Sequence, residues 1–84
     1  MTIEEFDNKW KNHLEPGHYG LDITHPDVIN YLDQKFTELQ TTHPNFQYSQ
    51  IKLKYGQARV YMEPYDIDTR EIEQEINKIL KPLN

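Results

Sequence analysis

Apolar residues recur every three or four positions near the start of the chain, which places them on one face of a helix from about residue 3 to 14. Thr2 and Glu5 have the spacing of a capping box, in which each side chain binds a free backbone N–H at the helix start. Pro16 and Gly17 end the helix, because proline cannot continue the hydrogen-bond ladder. The stripe predicted to be buried consists of Ile3, Phe6, Trp10 and Leu14.

A second apolar stripe predicts a longer helix, from about Pro26 to Thr41. Pro26 suits the first turn of a helix, and Asp27 suits the positive end of the helix dipole. His43 and Pro44 end this segment. The stripe consists of Val28, Leu32, Phe36 and Leu39, with Ile29 and Tyr31 beside them.

The connection over residues 17–24 leaves two interpretations open. Leu21 and Ile23 alternate with polar neighbours, so the segment forms either a very short strand or a loop anchored in the core. In the first case it adds a third strand to the hairpin that follows.

From residue 46 to residue 63 the apolar period becomes two, which predicts a β-hairpin. We place Gly56 and Gln57 at the centre of a type II′ turn, because glycine supplies the positive φ, and Tyr55 then lies opposite Ala58. This register puts the apolar residues of both strands on one face, whereas a one-residue slip would divide them between two faces. The residues predicted to face the helices are Ile51, Leu53, Tyr55, Ala58, Val60 and Met62.

At the start of the hairpin the alternation of apolar and polar residues is out of step with the rest of the strand. Phe46 and Tyr48 do not alternate in step with Ile51 and Leu53, which indicates a bulge or a strand that starts near Ser49.

Pro64 ends the hairpin, and a last helix begins near Asp68. Asp68 and Glu71 have capping-box spacing, while Ile67 and Ile72 are placed for a hydrophobic contact across that cap. The predicted buried stripe is Ile72, Ile76, Ile79 or Leu80, and Leu83.

These elements predict a single α+β domain over residues 1–84, in the order helix, helix, strand, strand, helix, with one antiparallel hairpin and an optional short third strand near residues 21–23. The chain has 84 residues, no cysteine and a formal net charge of −5. No apolar run approaches the roughly 20 residues that cross a bilayer, so we expect a soluble cytoplasmic protein without a membrane partner. The acidic balance disfavours nonspecific attraction to nucleic acid or anionic lipid.

The candidate site is the hairpin surface that faces away from the helices, here named the outer face. Its predicted cross-strand neighbours are Lys54 with Arg59, Lys52 with Tyr61, and Gln50 with Glu63. Like charges that lie directly opposite each other destabilise a strand pair, so something has to offset this repulsion. The cations form either an ordinary surface, which is solvated or paired with carboxylates of a helix, or a site for an anion or an acidic partner. The predicted binding residues are Gln50, Lys52, Lys54, Arg59 and Tyr61.

The sequence gives little support for a metal site, a catalytic site or a phosphate-binding loop. Four histidines are present, but no pair has the helical spacing that puts two imidazoles on one face, and the usual zinc spacings are missing. Ser49 is the single serine, and the chain has neither a nucleophile motif nor a glycine-rich phosphate loop. We therefore expect no catalytic residues, no metal and no cofactor.

The segment from Gln50 to Tyr61 resembles a motif of small bacterial and phage proteins of unassigned activity, in which Gln-Ile/Val-Lys-x-Lys-Phe/Tyr-Gly runs into x-x-Arg-Phe/Tyr-Tyr. The resemblance covers about a dozen residues, and more loosely the preceding helix. It departs at Gln57, Ala58 and Val60. It implies a bacterial or phage cytosol and draws attention to Lys52, Lys54, Gly56, Arg59 and Tyr61.

Three functional hypotheses follow. The first is a non-enzymatic interaction protein that binds an unknown protein partner, because catalytic motifs are missing and the hairpin offers a surface. The second is a nucleic-acid-associated protein that uses the basic outer face, and the third is a small hydrolase without a recognisable motif. We expect a monomer rather than a homodimer, because edge-to-edge pairing of two hairpins would bring like charges together.

Overall fold

Residues 1–81, which the computed structural model describes, form three α-helices and one three-stranded mixed sheet. Strand β2 lies in the centre of the sheet, antiparallel to β3 and parallel to β1. The predicted α+β class and the order of the helices and hairpin strands are thus confirmed. The elements are α1 (Ile3–Trp10), β1 (Gly20–Leu21), α2 (Pro26–Thr42), β2 (Gln47–Lys54), β3 (Gln57–Glu63) and α3 (Thr69–Leu80).

Strand β1 corrects the prediction of a sheet made of one hairpin. It has only two residues and runs parallel to the middle of β2. The strand is therefore the right interpretation of residues 17–24, although the buried Ile23 lies beyond it. Gly20 has a φ of 76°, and a Cβ atom there would lie 3.3 Å from Cδ1 of Leu14. This conformation and this close approach both favour glycine.

Side-chain caps fix the starts of the first two helices. The predicted capping box is present, since Thr2 Oγ1 accepts from Glu5 N at 3.1 Å and Glu5 Oε1 accepts from Thr2 N at 2.7 Å. Hydrogen bonding of the Glu5 carboxyl by the backbone and the side chain of Thr2 holds the pKa of this carboxyl below its usual value. Helix α2 is capped by His25, whose Nδ1 accepts from Asp27 N at 3.2 Å. It ends at Thr42, one residue later than predicted.

Helix α1 is shorter than the apolar stripe suggested. It ends at Trp10, and residues Lys11–His13 form one turn of 3₁₀-helix. The chain then extends, and Leu14 forms a parallel bridge to Tyr48. Leu14 thus reaches the core from the sheet layer and not from the helix, which the spacing alone did not distinguish.

The hairpin turn lies one residue before its predicted position. Its central residues are Tyr55 and Gly56, with φ values of 55° and 75°, and not Gly56 and Gln57. Two positive φ values match a type I′ turn. Each cross-strand partner therefore changes by two positions, so that Leu53 lies opposite Ala58. Because this shift is even, both faces of the hairpin keep the predicted residues.

Burial along the inner face of the hairpin differs from the prediction near the tip. Leu53 is 45% exposed and Tyr55 is 93% exposed, so neither packs in the core. Met62 is partly buried against the core. The prediction that Leu53 and Tyr55 face the helices was wrong, because the end of the hairpin extends past the helices that cover the rest of this face. The fully covered members are Ile51, Ala58 and Val60.

The predicted phase change at the start of the hairpin is confirmed. The register shifts between Tyr48 and Gln50, which places a β-bulge at Ser49. Ser49 Oγ donates a hydrogen bond to the carbonyl oxygen of Tyr61 at 3.4 Å. Because the bulge adds one residue, Tyr48 and Ile51 both point into the core although they are three positions apart.

Phe36 lies at the centre of an aromatic core that joins α1, α2 and β2. Its ring centroid is 5.3 Å from those of Phe6 and Trp10, 5.0 Å from that of Phe46 and 5.1 Å from that of Tyr48. Offset and edge-to-face contacts at such distances are favourable beyond the area they bury. This cluster holds the N-terminal helix against the sheet.

Helix α3 covers the other half of the sheet. Asp68 Oδ1 accepts from Glu71 N at 3.0 Å, which confirms Asp68 as the cap, and Ile67 is buried beside it. Its predicted stripe is buried at Ile72 and Ile76 and partly buried at Ile79 and Leu80. Leu83, the last predicted member, lies outside the described residues.

Two polar side chains of α3 bind the free edge of β3. Asn77 Oδ1 accepts from the backbone N–H of Ala58 at 2.8 Å, and Glu73 Oε2 accepts from that of Val60 at 2.9 Å. The helix therefore satisfies edge donors that would otherwise be free to pair with another chain.

Replacing Tyr48 with phenylalanine should raise the free energy of unfolding by about 1 kcal/mol at neutral pH. The Tyr48 hydroxyl is buried and has no hydrogen-bond partner among residues 1–81. An unsatisfied buried hydroxyl is destabilising, so its removal is favourable when the ring stays in place. Chemical denaturation of both proteins measures the difference, and a less stable Tyr48→Phe variant would show that the hydroxyl contributes a bond.

The alkaline behaviour of the same variant provides a second readout. Burial, with a smaller contribution from Asp7, raises the pKa of Tyr48 to about 12. The unfolded chain ionises this group at about pH 10, so between these values the folded state binds more protons and stability falls as the pH rises. Burial raises the pKa of Tyr31 to about 12 as well. Tyr48→Phe should therefore reduce, without abolishing, the alkaline loss of stability.

Candidate functional site

The five residues predicted as a binding site share the sheet face that points away from the helices. Their neighbours differ from the prediction because the turn has moved. Lys52, not Lys54, faces Arg59, and Gln50 faces Tyr61. The cross-strand pairs are Gln50 with Tyr61, Lys52 with Arg59, and Lys54 with Gln57.

Among the described residues, the three cations of the outer face form no ion pair. Among residues 1–81, no carboxylate oxygen lies within 4.0 Å of Lys52, Lys54 or Arg59. Arg59 Nη1 donates to the carbonyl of Ala58 at 3.2 Å, and Lys54 Nζ lies 5.9 Å from the ring centroid of Tyr55. The ion pairs in this part of the chain are Lys9–Asp33, His18–Glu15, Lys35–Glu71, His43–Asp66 and Lys78–Glu75.

The helices cannot neutralise these cations, because they pack on the opposite face of the sheet. Their carboxylates are directed elsewhere, as Glu73 illustrates by binding the backbone of β3. One explanation considered from the sequence, pairing of the cations with helix carboxylates, is therefore wrong. The outer face keeps a like-charge pair, Lys52 and Arg59, on a protein whose net charge is −5.

Tyr61 lies at the border between the outer face and a shallow depression. Its side chain is 48% exposed, and the depression beside it has a volume of about 420 Å³. Tyr65, almost fully exposed in the turn after Pro64, contributes to this depression. Sequence reasoning missed Tyr65 because the turn has no periodic pattern. The polar and aromatic lining includes Glu15, Ser49, Tyr61, Glu63, Tyr65 and Thr69.

The histidines lie apart and have separate contacts. His13 Nδ1 donates to the carbonyl of Phe46 at 2.7 Å, and the two rings stack with centroids 4.1 Å apart. His25 caps α2, and His43 Nε2 lies 3.2 Å from Oδ2 of Asp66. Within residues 1–81, no group of three or more His, Cys, Asp or Glu residues is placed to hold a metal ion.

None of the helices within residues 1–81 combines the length and the apolar character needed to cross a membrane. Comparisons with protein-family models, with curated proteins and with solved structures gave no match.

Proposed function

We propose that this chain is a non-enzymatic domain that binds an acidic segment of a protein partner on its outer face. The observation that supports the proposal is that no carboxylate of residues 1–81 lies within 4.0 Å of these three cations, in a chain with five more acidic than basic residues. Cross-strand repulsion between Lys52 and Arg59 disfavours the hairpin by a few tenths of a kcal/mol or more. A partner carboxylate placed between the two would remove that repulsion.

Polar and aromatic neighbours add specificity to this charge. Gln50 offers an amide and Tyr61 a half-exposed ring, and the two lie directly opposite each other beside the cations. Tyrosine and arginine are enriched in protein interfaces, because each combines a large contact area with polar bonding groups. The bacterial or phage setting that the motif implies remains a prediction.

Single-stranded nucleic acid is the second candidate, supported by the exposed Tyr61 ring beside the cations. Aromatic rings stack on bases and cations contact phosphates. Two features favour the protein partner. The outer face has only three cations, and the net charge of −5 repels a long polyanion, whereas a short acidic segment needs few contacts.

Charge reversal at the opposed pair tests the proposal. The double variant Lys52→Glu/Arg59→Glu should lose the partner that the unmodified protein captures from a nuclease-treated bacterial extract, because attraction becomes repulsion at the centre of the site. Lys11→Glu/Arg70→Glu is the matched control. Each double variant changes the net charge by −4, from −5 to −9, but the control residues lie on other surfaces. Retention of the partner by the first variant would contradict the proposal.

Salt dependence separates the two candidates. Three phosphate contacts on a single strand give a fall in log K of about 2 for each tenfold rise in salt concentration. Titration of a labelled oligothymidine measures this slope directly. Tight, salt-sensitive binding of the oligonucleotide, together with a partner that is captured from untreated extract but not from nuclease-treated extract, would favour nucleic acid.

A further inference from the structure

The two edges of the sheet differ in how they are protected. On the β3 edge, the outward N–H groups of Ala58 and Val60 are bound by Asn77 and Glu73 of α3. On the β2 edge, pairing with β1 ends at Ile51, where the carbonyl accepts from Asp22 N at 2.8 Å. Within residues 1–81, no strand pairs on that side with the rest of β2, from Lys52 to Lys54.

The backbone of Leu53 points to this open edge. Leu53 lies opposite Ala58, whose N–H turns away from β2 to reach α3. In an antiparallel ladder both residues of such a pair direct their N–H and C=O groups outward. The half-exposed Leu53 side chain lies on the inner side of this edge, while Lys52 and Lys54 lie on the outer face.

We propose that the open edge at Leu53 accepts an extended acidic segment as an added antiparallel strand, with the pattern acid, apolar, acid. This inference rests on the proposed function and specifies the form of the partner. The apolar residue exchanges two backbone hydrogen bonds with Leu53 and packs against its side chain. The flanking carboxylates then lie opposite Lys52 and Lys54, on the outer face.

Charge selects this occupant over a second copy of the chain. Two copies that paired antiparallel about Leu53 would place Lys52 of each beside Lys54 of the other. Both cross-strand pairs would then be repulsive, whereas an acidic strand makes both of them attractive. The lysines thus disfavour self-association and favour a carboxylate-bearing strand at one edge.

Nuclear magnetic resonance on the ¹⁵N-labelled full chain tests this geometry. The probe is a capped peptide, Gly-Thr-Glu-Val-Glu-Thr-Gly, compared with the same peptide carrying lysine in place of both glutamates. The glutamate peptide should shift the Leu53 amide signal and slow its hydrogen exchange by at least about tenfold at saturation, because the N–H becomes bonded. The lysine peptide should leave the signal unchanged.

Reversal of the protein charges provides the matched control. Lys52→Glu/Lys54→Glu should bind the glutamate peptide at least about tenfold more weakly and should bind the lysine peptide instead. This gain of binding cannot arise from misfolding. Methylation of the central valine nitrogen removes one of the two backbone hydrogen bonds and should weaken binding to the unmodified protein.

Each contrary result has a distinct meaning. Shifts at Arg59 and Tyr61 without slower exchange at Leu53 would overturn strand addition while supporting the outer-face proposal. Equal binding of both peptides would overturn selection by charge. A concentration-dependent Leu53 signal without peptide would show that a second copy occupies the edge. An unchanged spectrum at millimolar glutamate peptide would overturn strand addition, while the capture experiment with Lys52→Glu/Arg59→Glu would still judge the proposed function.

Discussion

Replacing Phe36 with alanine should lower the free energy of unfolding by about 3 to 5 kcal/mol. Phe36 is fully buried and contacts four other aromatic rings, so its removal leaves a cavity between α1, α2 and β2. Domains are typically stable by only 5 to 15 kcal/mol, so the variant should unfold at much lower urea concentration. Urea unfolding followed by far-ultraviolet circular dichroism measures the change.

Two controls separate cavity formation from loss of any aromatic ring. Phe36→Leu keeps most of the buried volume and should cost clearly less than the alanine variant. Tyr65→Ala removes a ring that is 95% exposed and should change stability by less than about 0.5 kcal/mol. A cost below about 1 kcal/mol for Phe36→Ala would show that the aromatic cluster does not hold the helices to the sheet.

The double variant Glu73→Ala/Asn77→Ala should destabilise the protein by about 2 to 6 kcal/mol and promote aggregation. It removes the acceptors of two N–H groups on β3, and each unsatisfied donor costs about 1 to 3 kcal/mol. It also leaves β3 as an unprotected edge strand. Urea unfolding gives the energetic cost, and light scattering over a concentration series reports aggregation.

Glu73→Gln/Asn77→Asp is the conservative control, because each replacement keeps an oxygen that can accept the same hydrogen bond. It should retain most of the stability lost in the alanine variant. Glu75→Ala, which loses only an exposed ion pair with Lys78, should cost less than about 1 kcal/mol. If the conservative and alanine variants are equally unstable, the hydrogen bonds to β3 do not explain the effect.

Local chemistry in the sequence predicted the helices and the division of the hairpin into two faces. Thr2 with Glu5 and the Asp68 cap are contacts between near neighbours, so the sequence contains all of their determinants. The turn position was wrong because a non-glycine residue seldom adopts positive φ, yet Tyr55 does so here. The residues were still assigned to the correct faces of the hairpin, because the error changed each cross-strand partner by two positions.

The remaining errors concern contacts between residues that are far apart in the sequence. Whether Leu53 is buried depends on how far the helices extend over the tip, and no pattern within the hairpin contains that information. The capping of β3 by Glu73 and Asn77 joins residues that are 13 and 19 positions from their partners. The residues of the outer face were correctly placed on one face. That the cations form no ion pair within residues 1–81 depends on the helices packing on the opposite side, which the hairpin sequence does not contain.

The two junctions of the sheet close loops of very different length. A two-residue turn joins β2 to β3, whereas Gly20 pairs with Gln50, thirty positions further along the chain. The entropic cost of closing a loop rises by about 0.6 kcal/mol for each doubling of its length. Pairing β1 with β2 therefore costs about 2 kcal/mol more than closing the hairpin, although it forms a much shorter ladder. Strand β1 therefore has a much shorter ladder than the hairpin with which to offset the cost of closing its loop. Local detachment of β1 would lengthen the open edge of β2 from Leu53 back towards Ile51. The length of edge that a partner strand can reach would then depend on how often β1 unfolds locally.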